Sequence, residues 1–174
     1  TLIFDGAMSH ARVYVNGKEA GYWPYGYNSF HLDVTPYLKA GEINELAVRL
    51  ENENESSRWY PGAGLYRNVH LVVTEDAYVP TWGTHVTTPV VKDKFAKVHV
   101  ETNWTMPKGK KISEYTIATE ILNPEGKKVN ADTRPGDELD ETLFTQEFIV
   151  RNPMLWSVEN PHLYTAVSKI YEGD

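Results

Sequence analysis

The chain has 174 residues, of which 24% are charged and 41% hydrophobic, so its composition is that of a globular protein rather than a disordered one. Its formal net charge of −7 argues against a nucleic-acid partner, because phosphate backbones are bound by concentrated lysine and arginine. No apolar run approaches the roughly 18 residues of a membrane span, so we expect no membrane partner. The absence of cysteine excludes disulfides and thiol chemistry.

Short alternating runs of apolar and polar residues predict β-strands in the first half of the chain. Val13 and Val15 alternate with polar neighbours and are followed by Asn16-Gly17, the strongest short signal for a hairpin. Ala20 to Trp23 would form the returning strand. The same alternation recurs at Phe30, Leu32 and Val34, at Leu46, Val48 and Leu50, and at Val69, Leu71 and Val73.

The stretch DVTPYLKAGE predicts a single helical turn, with Thr35 as its N-cap, Pro36 at its first position and Gly41 as its stop. No segment keeps an apolar period of 3.6 residues long enough to predict a longer helix. The chain is therefore predicted to be all-β.

The composition changes near residues 74–80, which predicts a domain boundary there. Plainer strands separated by charged turns follow. One shares a face made of Ala96, Val98, Val100, Thr102 and Trp104, the next carries Tyr115, Ile117, Thr119 and Ile121, and another carries Phe144, Phe148 and Val150. Residues from Leu163 to Tyr171 are predicted to form the last strand. The turn at residues 123–126 closes the second of these runs. Short strands at this spacing favour a sandwich, in which Tyr164 would form a tyrosine corner.

Candidate catalytic groups are few. Glu51, Glu53 and Glu55 alternate and could supply the carboxylate pair of a glycosidase, but a solvated polar loop is favoured, because nothing nearby raises a carboxyl pKa or supplies a second carboxylate across a cleft. The six histidines do not fall at metal-ligand spacing, so we expect no metal. The motifs of nucleotide and zinc enzymes are absent from the sequence, so we expect no cofactor.

Residues 56–68, SSRWYPGAGLYRN, combine aromatic side chains with turn-forming proline and glycine. A core strand would avoid Pro-Gly, and a flexible linker would not carry three large aromatic residues. The stretch therefore predicts a structured loop, and loops on rigid scaffolds are where binding residues concentrate.

This loop and its extension, SSRWYPGAGLYRNVHLVV, resemble the end of the N-terminal sugar-binding domain of glycoside hydrolase family 2, which includes β-galactosidases, β-glucuronidases and β-mannosidases. The resemblance continues upstream, where a strand ending in Phe-Asp-Gly, a Val-Asn-Gly hairpin, a Gly-Tyr segment, Asp-Val-Thr and Gly-Glu-Ile-Asn follow in the family's order. Near the end of the chain, NPMLWSVENPHLYTAVSKIYEGD resembles the close of the family's immunoglobulin-like domain. In style the sequence is most similar to bacterial β-galactosidases.

The resemblance implies that Ser57 and Arg58 approach the active-site pocket of an adjoining catalytic barrel. Several relatives carry an acidic residue about where Ser57 stands, which weakens the expectation for that position. Arg58 can donate two aligned hydrogen bonds to sugar hydroxyls or to a catalytic carboxylate. Trp59 can stack on the C–H face of a sugar. The structural alternatives are that Arg58 pairs with a preceding glutamate and that Trp59 fills the sandwich.

The resemblance also implies two β-sandwiches: a partial jelly-roll, or galactose-binding-like, domain over residues 1–76 and an immunoglobulin-like domain over residues 77–174. The family's catalytic glutamates lie on a (β/α)8 barrel that follows these domains. We therefore expect a non-catalytic portion of a bacterial glycosidase, whose partners are that barrel and a carbohydrate substrate. Both the bacterial cytoplasm and the periplasm remain open as its location.

A further expectation concerns the chain ends, which the resemblance places inside both domains. Missing opening strands would expose Phe4, Val13 and Val15, and a missing final strand would leave the strand from Leu163 unpaired. Unpaired strand edges recruit other chains, which favours oligomers through exposed sheet edges. Two other function classes stay open, namely an independent carbohydrate-binding module and a β-sandwich adhesion or spacer protein.

Overall fold

The computed structural model describes residues 1–139 and 143–173, and these residues form an almost entirely β structure. They divide into two compact units, Thr1–Val73 and Thr74–Asp174. Each unit contains two three-stranded sheets, so the predicted all-β class with two sandwiches is confirmed. In the described ranges, no helix is both long enough and apolar enough to cross a membrane.

Six antiparallel strands build the first unit. They are β1 (Leu2–Phe4), β2 (Ala11–Val15), β3 (Lys18–Trp23), β4 (Phe30–Leu32), β5 (Leu46–Arg49) and β6 (Val69–Leu71). One sheet has the order β4–β1–β6 and the other has the order β3–β2–β5. Their apolar faces meet in one core, whose buried residues are Leu2, Phe4, Ala7, Ala11, Val13, Val15, Phe30 and Val34.

The expected exposure of Phe4, Val13 and Val15 is wrong. Phe4 and Val13 are 0% exposed and Val15 is 2% exposed. The two sheets cover each other's central strands, and the Phe4 ring stacks on Phe30 with centroids 4.7 Å apart. Exposed apolar side chains of this unit include Ile43, which is 96% exposed, and Leu71 and Val73 on and after β6, which are 61% and 82% exposed.

The β2–β3 hairpin forms as predicted, with Val15 opposite Lys18. Asn16 and Gly17 adopt φ angles of 51° and 76°, which a two-residue turn of this type requires. The Asn16 side chain also ties the hairpin to the segment before β5. Its Nδ2 donates to the Tyr37 carbonyl and to Asn44 Oδ1, each at 2.8 Å, and its Oδ1 accepts from the Glu45 N–H at 3.1 Å.

The predicted helical turn is a 3₁₀ turn over Thr35–Tyr37, and its N-cap is Val34 rather than Thr35. The N-cap makes no side-chain capping hydrogen bond, and the Thr35 N–H instead donates to Asp33 Oδ1 at 2.9 Å. Hydrogen bonds from the side chain and the backbone of Thr35 lower the pKa of Asp33 from its ordinary value. The prediction of Gly41 as the stop is wrong: the turn ends at Tyr37 with Leu38 as its C-cap, and Gly41, with φ at 73°, lies beyond it.

Within its described residues, the second unit also contains six strands. They are β7 (Thr84–Lys92), β8 (Phe95–Asn103), β9 (Tyr115–Leu122), β10 (Lys128–Pro135), β11 (Leu143–Arg151) and β12 (Thr165–Glu172). The sheets have the orders β10–β9–β12 and β11–β8–β7. The predicted inward faces of β8, β9 and β11 are buried, and they meet in two neighbouring clusters, around Val100 and Ile121 and around Trp104 and Tyr115.

Candidate functional site

Residues 52–61, which carry Trp59 and Tyr60 and are called the aromatic loop below, are fixed at their base. Ser9 and Glu51 are joined by two hydrogen bonds, from the Ser9 hydroxyl to the Glu51 carbonyl at 2.7 Å and from the Glu51 N–H to the Ser9 carbonyl at 2.9 Å. Asn52 Nδ2 donates to the Pro61 carbonyl at 2.7 Å, which closes the loop across its two arms. Residues 53–60 therefore extend from a base that is fixed by hydrogen bonds, although they contain no strand or helix.

Glycines allow the returning arm to lie close to the sheet. Gly64 pairs with Met8 through two backbone hydrogen bonds, of 3.0 and 3.2 Å, and has φ at 153°, which favours glycine. The Tyr66 ring packs against Gly6, where an added Cβ would lie 2.9 Å from the ring. The Tyr66 hydroxyl donates to the Gly26 carbonyl at 2.7 Å, which attaches the loop's exit to a second segment.

Ser57 is half-buried and its hydroxyl serves the loop itself. Its Oγ donates to the Trp59 carbonyl at 3.4 Å and accepts the Trp59 N–H at 3.5 Å. These long contacts shape the turn locally, and Ser57 contributes less to an open binding surface than its neighbours do.

Arg58 is exposed, and within residues 1–139 and 143–173 its guanidinium forms no ion pair. The alternative in which Arg58 pairs with a preceding glutamate is therefore not realised. Two of those glutamates have other partners: Glu51 pairs with Arg49 at 2.6 Å, and Glu53 lies 3.9 Å from His10 Nε2. The Arg58 donors remain available to a ligand.

Trp59 is 59% exposed, so it does not fill the sandwich. Its indole Nε1 donates to the Tyr27 hydroxyl at 2.8 Å, and the two rings meet edge to face with centroids 6.3 Å apart. Sequence reasoning did not single out Tyr27, which lies 32 residues upstream. The resemblance includes a Gly-Tyr segment, but that segment says nothing about which aromatic side chain a tyrosine contacts.

The loop encloses an open cavity of about 340 Å³ that is lined by residues 52–61. Its walls combine carboxylates, amides and the Arg58 donors with the rings of Trp59 and Tyr60. Binding sites for small molecules typically place a few polar groups beside apolar surface. This mixture suits a ligand that carries both hydroxyl groups and apolar C–H surface.

A larger cavity of about 480 Å³ lies within the second unit, and its lining is mostly apolar. Val86, Val98, Ile121, Leu155 and Trp156 contribute to its walls. Such a lining offers little to a ligand rich in hydroxyl groups, so the first unit carries the better candidate site for a carbohydrate.

The second unit also carries an exposed cluster of histidines and carboxylates on the outer face of β7, β8 and β11. Glu101 lies 3.4 Å from His85 Nδ1 and 3.3 Å from His99 Nε2, and Glu147 lies 3.8 Å from His99 Nδ1. Hydrogen bonds from His99 and then His85 lower the pKa of Glu101. In the part of the chain that the structure describes, neither this nor any other group has the arrangement of a metal site.

Comparison with known proteins assigns both units to one family. The family model for the sugar-binding domain of glycosyl hydrolases family 2 matches residues 1–75, and the model for glycosyl hydrolases family 2 matches residues 77–174. The β-galactosidase BoGH2A of Bacteroides ovatus is 42% identical over 98% of this chain and 20% of its own length. A putative β-glucuronidase of Formosa agariphila is 32% identical over 98% of this chain and 16% of its own length.

A solved structure supports the same family assignment. The glycosyl hydrolase family 2 member from Bacteroides cellulosilyticus is 34% identical, with a TM-score of 0.88 over 98% of this chain and 24% of that protein. The chain thus spans about a fifth of the length of these relatives. The chain belongs to glycoside hydrolase family 2.

Proposed function

We propose that this chain is the non-catalytic N-terminal region of a glycosidase that releases β-linked galactose. Residues 1–76 are then the C-terminal part of its sugar-binding jelly-roll domain, and residues 77–174 are its immunoglobulin-like domain. The observation that supports this most strongly is the 42% identity to a β-galactosidase over 98% of the chain. Catalysis is assigned to a (β/α)8 barrel of the same polypeptide.

Within that enzyme, Arg58, Trp59 and Ser57 are proposed to contact the carbohydrate. The support is geometric: the Arg58 donors and the exposed indole of Trp59 stand together on a loop whose base is fixed by hydrogen bonds. A guanidinium can donate paired hydrogen bonds to vicinal hydroxyls, and the indole offers a flat apolar face. Ser57 supports the turn that presents both.

The carboxylates of the chain are poorly suited to glycoside cleavage. A catalytic acid of this class needs an environment that keeps its carboxyl group protonated near neutral pH, such as an apolar pocket. Glu53 and Glu55 are exposed, and Glu51 is paired with Arg49. We therefore assign binding, and not bond cleavage, to this loop.

The test is to assay the 174-residue chain and the full-length polypeptide that carries it on 4-nitrophenyl β-D-galactoside. We expect turnover by the full-length polypeptide and none by the chain alone. Turnover by the purified chain that is abolished by Glu51→Gln or Glu53→Gln would overturn the non-catalytic assignment. If the full-length polypeptide is inactive and the isolated chain still binds glycans, an independent carbohydrate-binding module is favoured.

β-Glucuronide hydrolysis is the second candidate. It is favoured by the 32% identity to a putative β-glucuronidase and by the exposed charge of Arg58, which could pair with a uronic acid carboxylate. The full-length polypeptide should therefore also be assayed on 4-nitrophenyl β-D-glucuronide. A higher kcat/KM on the glucuronide than on the galactoside would select this candidate over the first.

A further inference from the structure

The indole of Trp59 is held in place by a residue from a distant part of the chain. Its Nε1 donates to the Tyr27 hydroxyl at 2.8 Å, with the ring planes inclined by 66°. The backbone around Trp59 is irregular, and its contacts with the Ser57 hydroxyl are long, at 3.4 and 3.5 Å. The bond to Tyr27 is therefore the better attachment of this side chain.

Tyr27 is itself well anchored. Arg67 Nη1 donates to the Tyr27 carbonyl and to the Asp5 carbonyl, each at 3.3 Å, which ties Tyr27 to the end of β1. The preceding Gly26 accepts the Tyr66 hydroxyl at 2.7 Å, and the Arg67 guanidinium lies 5.1 Å from the Tyr66 ring centroid. Tyr27 thus links the indole of Trp59 to the end of β1.

This arrangement leaves the tryptophan exposed and yet oriented. Trp59 keeps 59% of its surface open, whereas Tyr27 is 39% exposed. An exposed indole without a fixed position loses side-chain freedom when a ligand orders it, and that loss weakens binding. A site whose side chains are already held in the productive geometry avoids this cost.

We propose that Tyr27 is a positioning residue that holds Trp59 ready to stack on the apolar C–H face of a pyranose ring. The inference rests on the proposed carbohydrate-binding role of this loop, and it adds to that role a residue that orients Trp59. Tyr27 acts through its hydroxyl, and Trp59 makes the contact with the sugar.

The experiment uses the full-length polypeptide that carries this chain, assayed on 4-nitrophenyl β-D-galactoside and on the corresponding glucuronide. Tyr27→Phe deletes only the hydroxyl that accepts the indole N–H. On whichever substrate is turned over, we expect kcat/KM to fall roughly 2- to 10-fold, mainly through a higher KM, which is the scale of one hydrogen bond. The melting temperature should stay unchanged, because both side chains are exposed.

Two further variants make the test specific. Tyr25→Phe removes the neighbouring hydroxyl, which has no hydrogen-bond partner within the described residues, and should leave the kinetics unchanged. Trp59→Phe keeps an aromatic ring but removes the indole N–H, so adding Tyr27→Phe to it should cost nothing more. A double-mutant cycle measures this coupling.

The outcomes separate the inference from the function on which it rests. If Trp59→Phe is impaired but Tyr27→Phe behaves as wild type, or if the two losses add, the positioning role is wrong while the binding role stands. If Trp59→Phe and Arg58→Ala both leave the kinetics unchanged, the binding role of the loop is overturned as well.

Discussion

The hydroxyl of Tyr164 accepts a hydrogen bond of 3.0 Å from the backbone N–H of Met154. It thereby ties the segment before β12 to residues ten positions upstream, in the manner predicted for a tyrosine corner. The Tyr164 ring packs on the core cluster around Val100 and Ile121.

Tyr164→Phe keeps the packed ring and deletes this bond, so we expect the free energy of unfolding to fall by about 0.5–1.5 kcal/mol. Urea denaturation followed by circular dichroism measures the change. Tyr171→Phe is the matched control, because Tyr171 lies on β12, is half exposed and has no hydrogen-bond partner within the described residues. Equal effects of the two substitutions would contradict a specific role for the Tyr164 hydroxyl.

Gly136 begins a short 3₁₀ turn after β10, and it is buried. A Cβ added there would collide with the carbonyl group of Ile112, which is backbone and cannot rotate away. Gly136→Ala should therefore destabilise the second unit by roughly 1–3 kcal/mol, as overpacking does. Gly62→Ala, where the added Cβ would meet nothing within 4 Å, should stay within about 0.5 kcal/mol of wild type. Thermal unfolding of the two variants compares them directly, and similar melting temperatures would show that the Ile112 contact relaxes.

The acid sensitivity of the second unit is expected to depend partly on Glu101. Its pKa is lowered from 4.5 by hydrogen bonds from His99 and His85, so the folded state favours the ionised carboxylate. A lowered carboxyl pKa contributes stability that is present above the ordinary pKa and is lost as pH falls through the lowered value. Stability should therefore drop below pH 4.5 less steeply in Glu101→Gln than in wild type.

Urea midpoints measured over a series of pH values test this dependence. Glu147→Gln is the comparison, since Glu147 lies farther from His99, at 3.8 Å, and is more exposed. Glu147→Gln should change the loss of stability at low pH less than Glu101→Gln does. Parallel acid limbs for wild type and Glu101→Gln would contradict the role given to this carboxylate.

Arg58→Ala should lower kcat/KM of the full-length polypeptide without lowering its stability. The guanidinium is exposed and is not engaged in an ion pair within the described residues, so its loss removes a ligand contact rather than a packing contact. A charged hydrogen bond corresponds to a loss of roughly 1–3 kcal/mol in transition-state stabilisation. Lys128→Ala serves as the control, because it removes a surface ion pair with Glu120 at 3.0 Å in the second unit and should affect kinetics little. A lower melting temperature with unchanged kinetics would assign Arg58 a structural role.

Strand faces were the most predictable part of this fold. The alternation from Ala96 to Trp104 requires one face of β8 to be buried, because side chains of a strand point to opposite sides in turn. Strand β10 also alternates, but its apolar residues Val129 and Ala131 are exposed and its polar residues Asn130 and Asp132 are half-buried, so the pattern does not reveal the inward face. Gln146 was overlooked for the same reason: it is 1% exposed on β11, and it is accommodated by donating to the Asp132 carbonyl at 3.2 Å.

The candidate loop was predictable as a loop, but the arrangement of its side chains was not. Turn-forming residues beside aromatic ones indicate a structured loop wherever they occur. Whether Trp59 faces the core or the solvent depends on its partner, and that partner is Tyr27, which local patterns do not reveal. The sequence likewise does not reveal that Arg58 forms no ion pair among the described residues, while Glu51 pairs with Arg49.

The hairpin residue Asn16 has a consequence for how the protein ages. An asparagine followed by glycine is the sequence most prone to lose its side-chain nitrogen by slow hydrolysis, and here that nitrogen donates to the Tyr37 carbonyl and to Asn44 Oδ1. After conversion to aspartate, an anionic oxygen would face these two acceptors, and both attractions would become repulsions. Chemical damage at one turn would thus release the segment that leads into β5, at a distance along the chain from the altered residue.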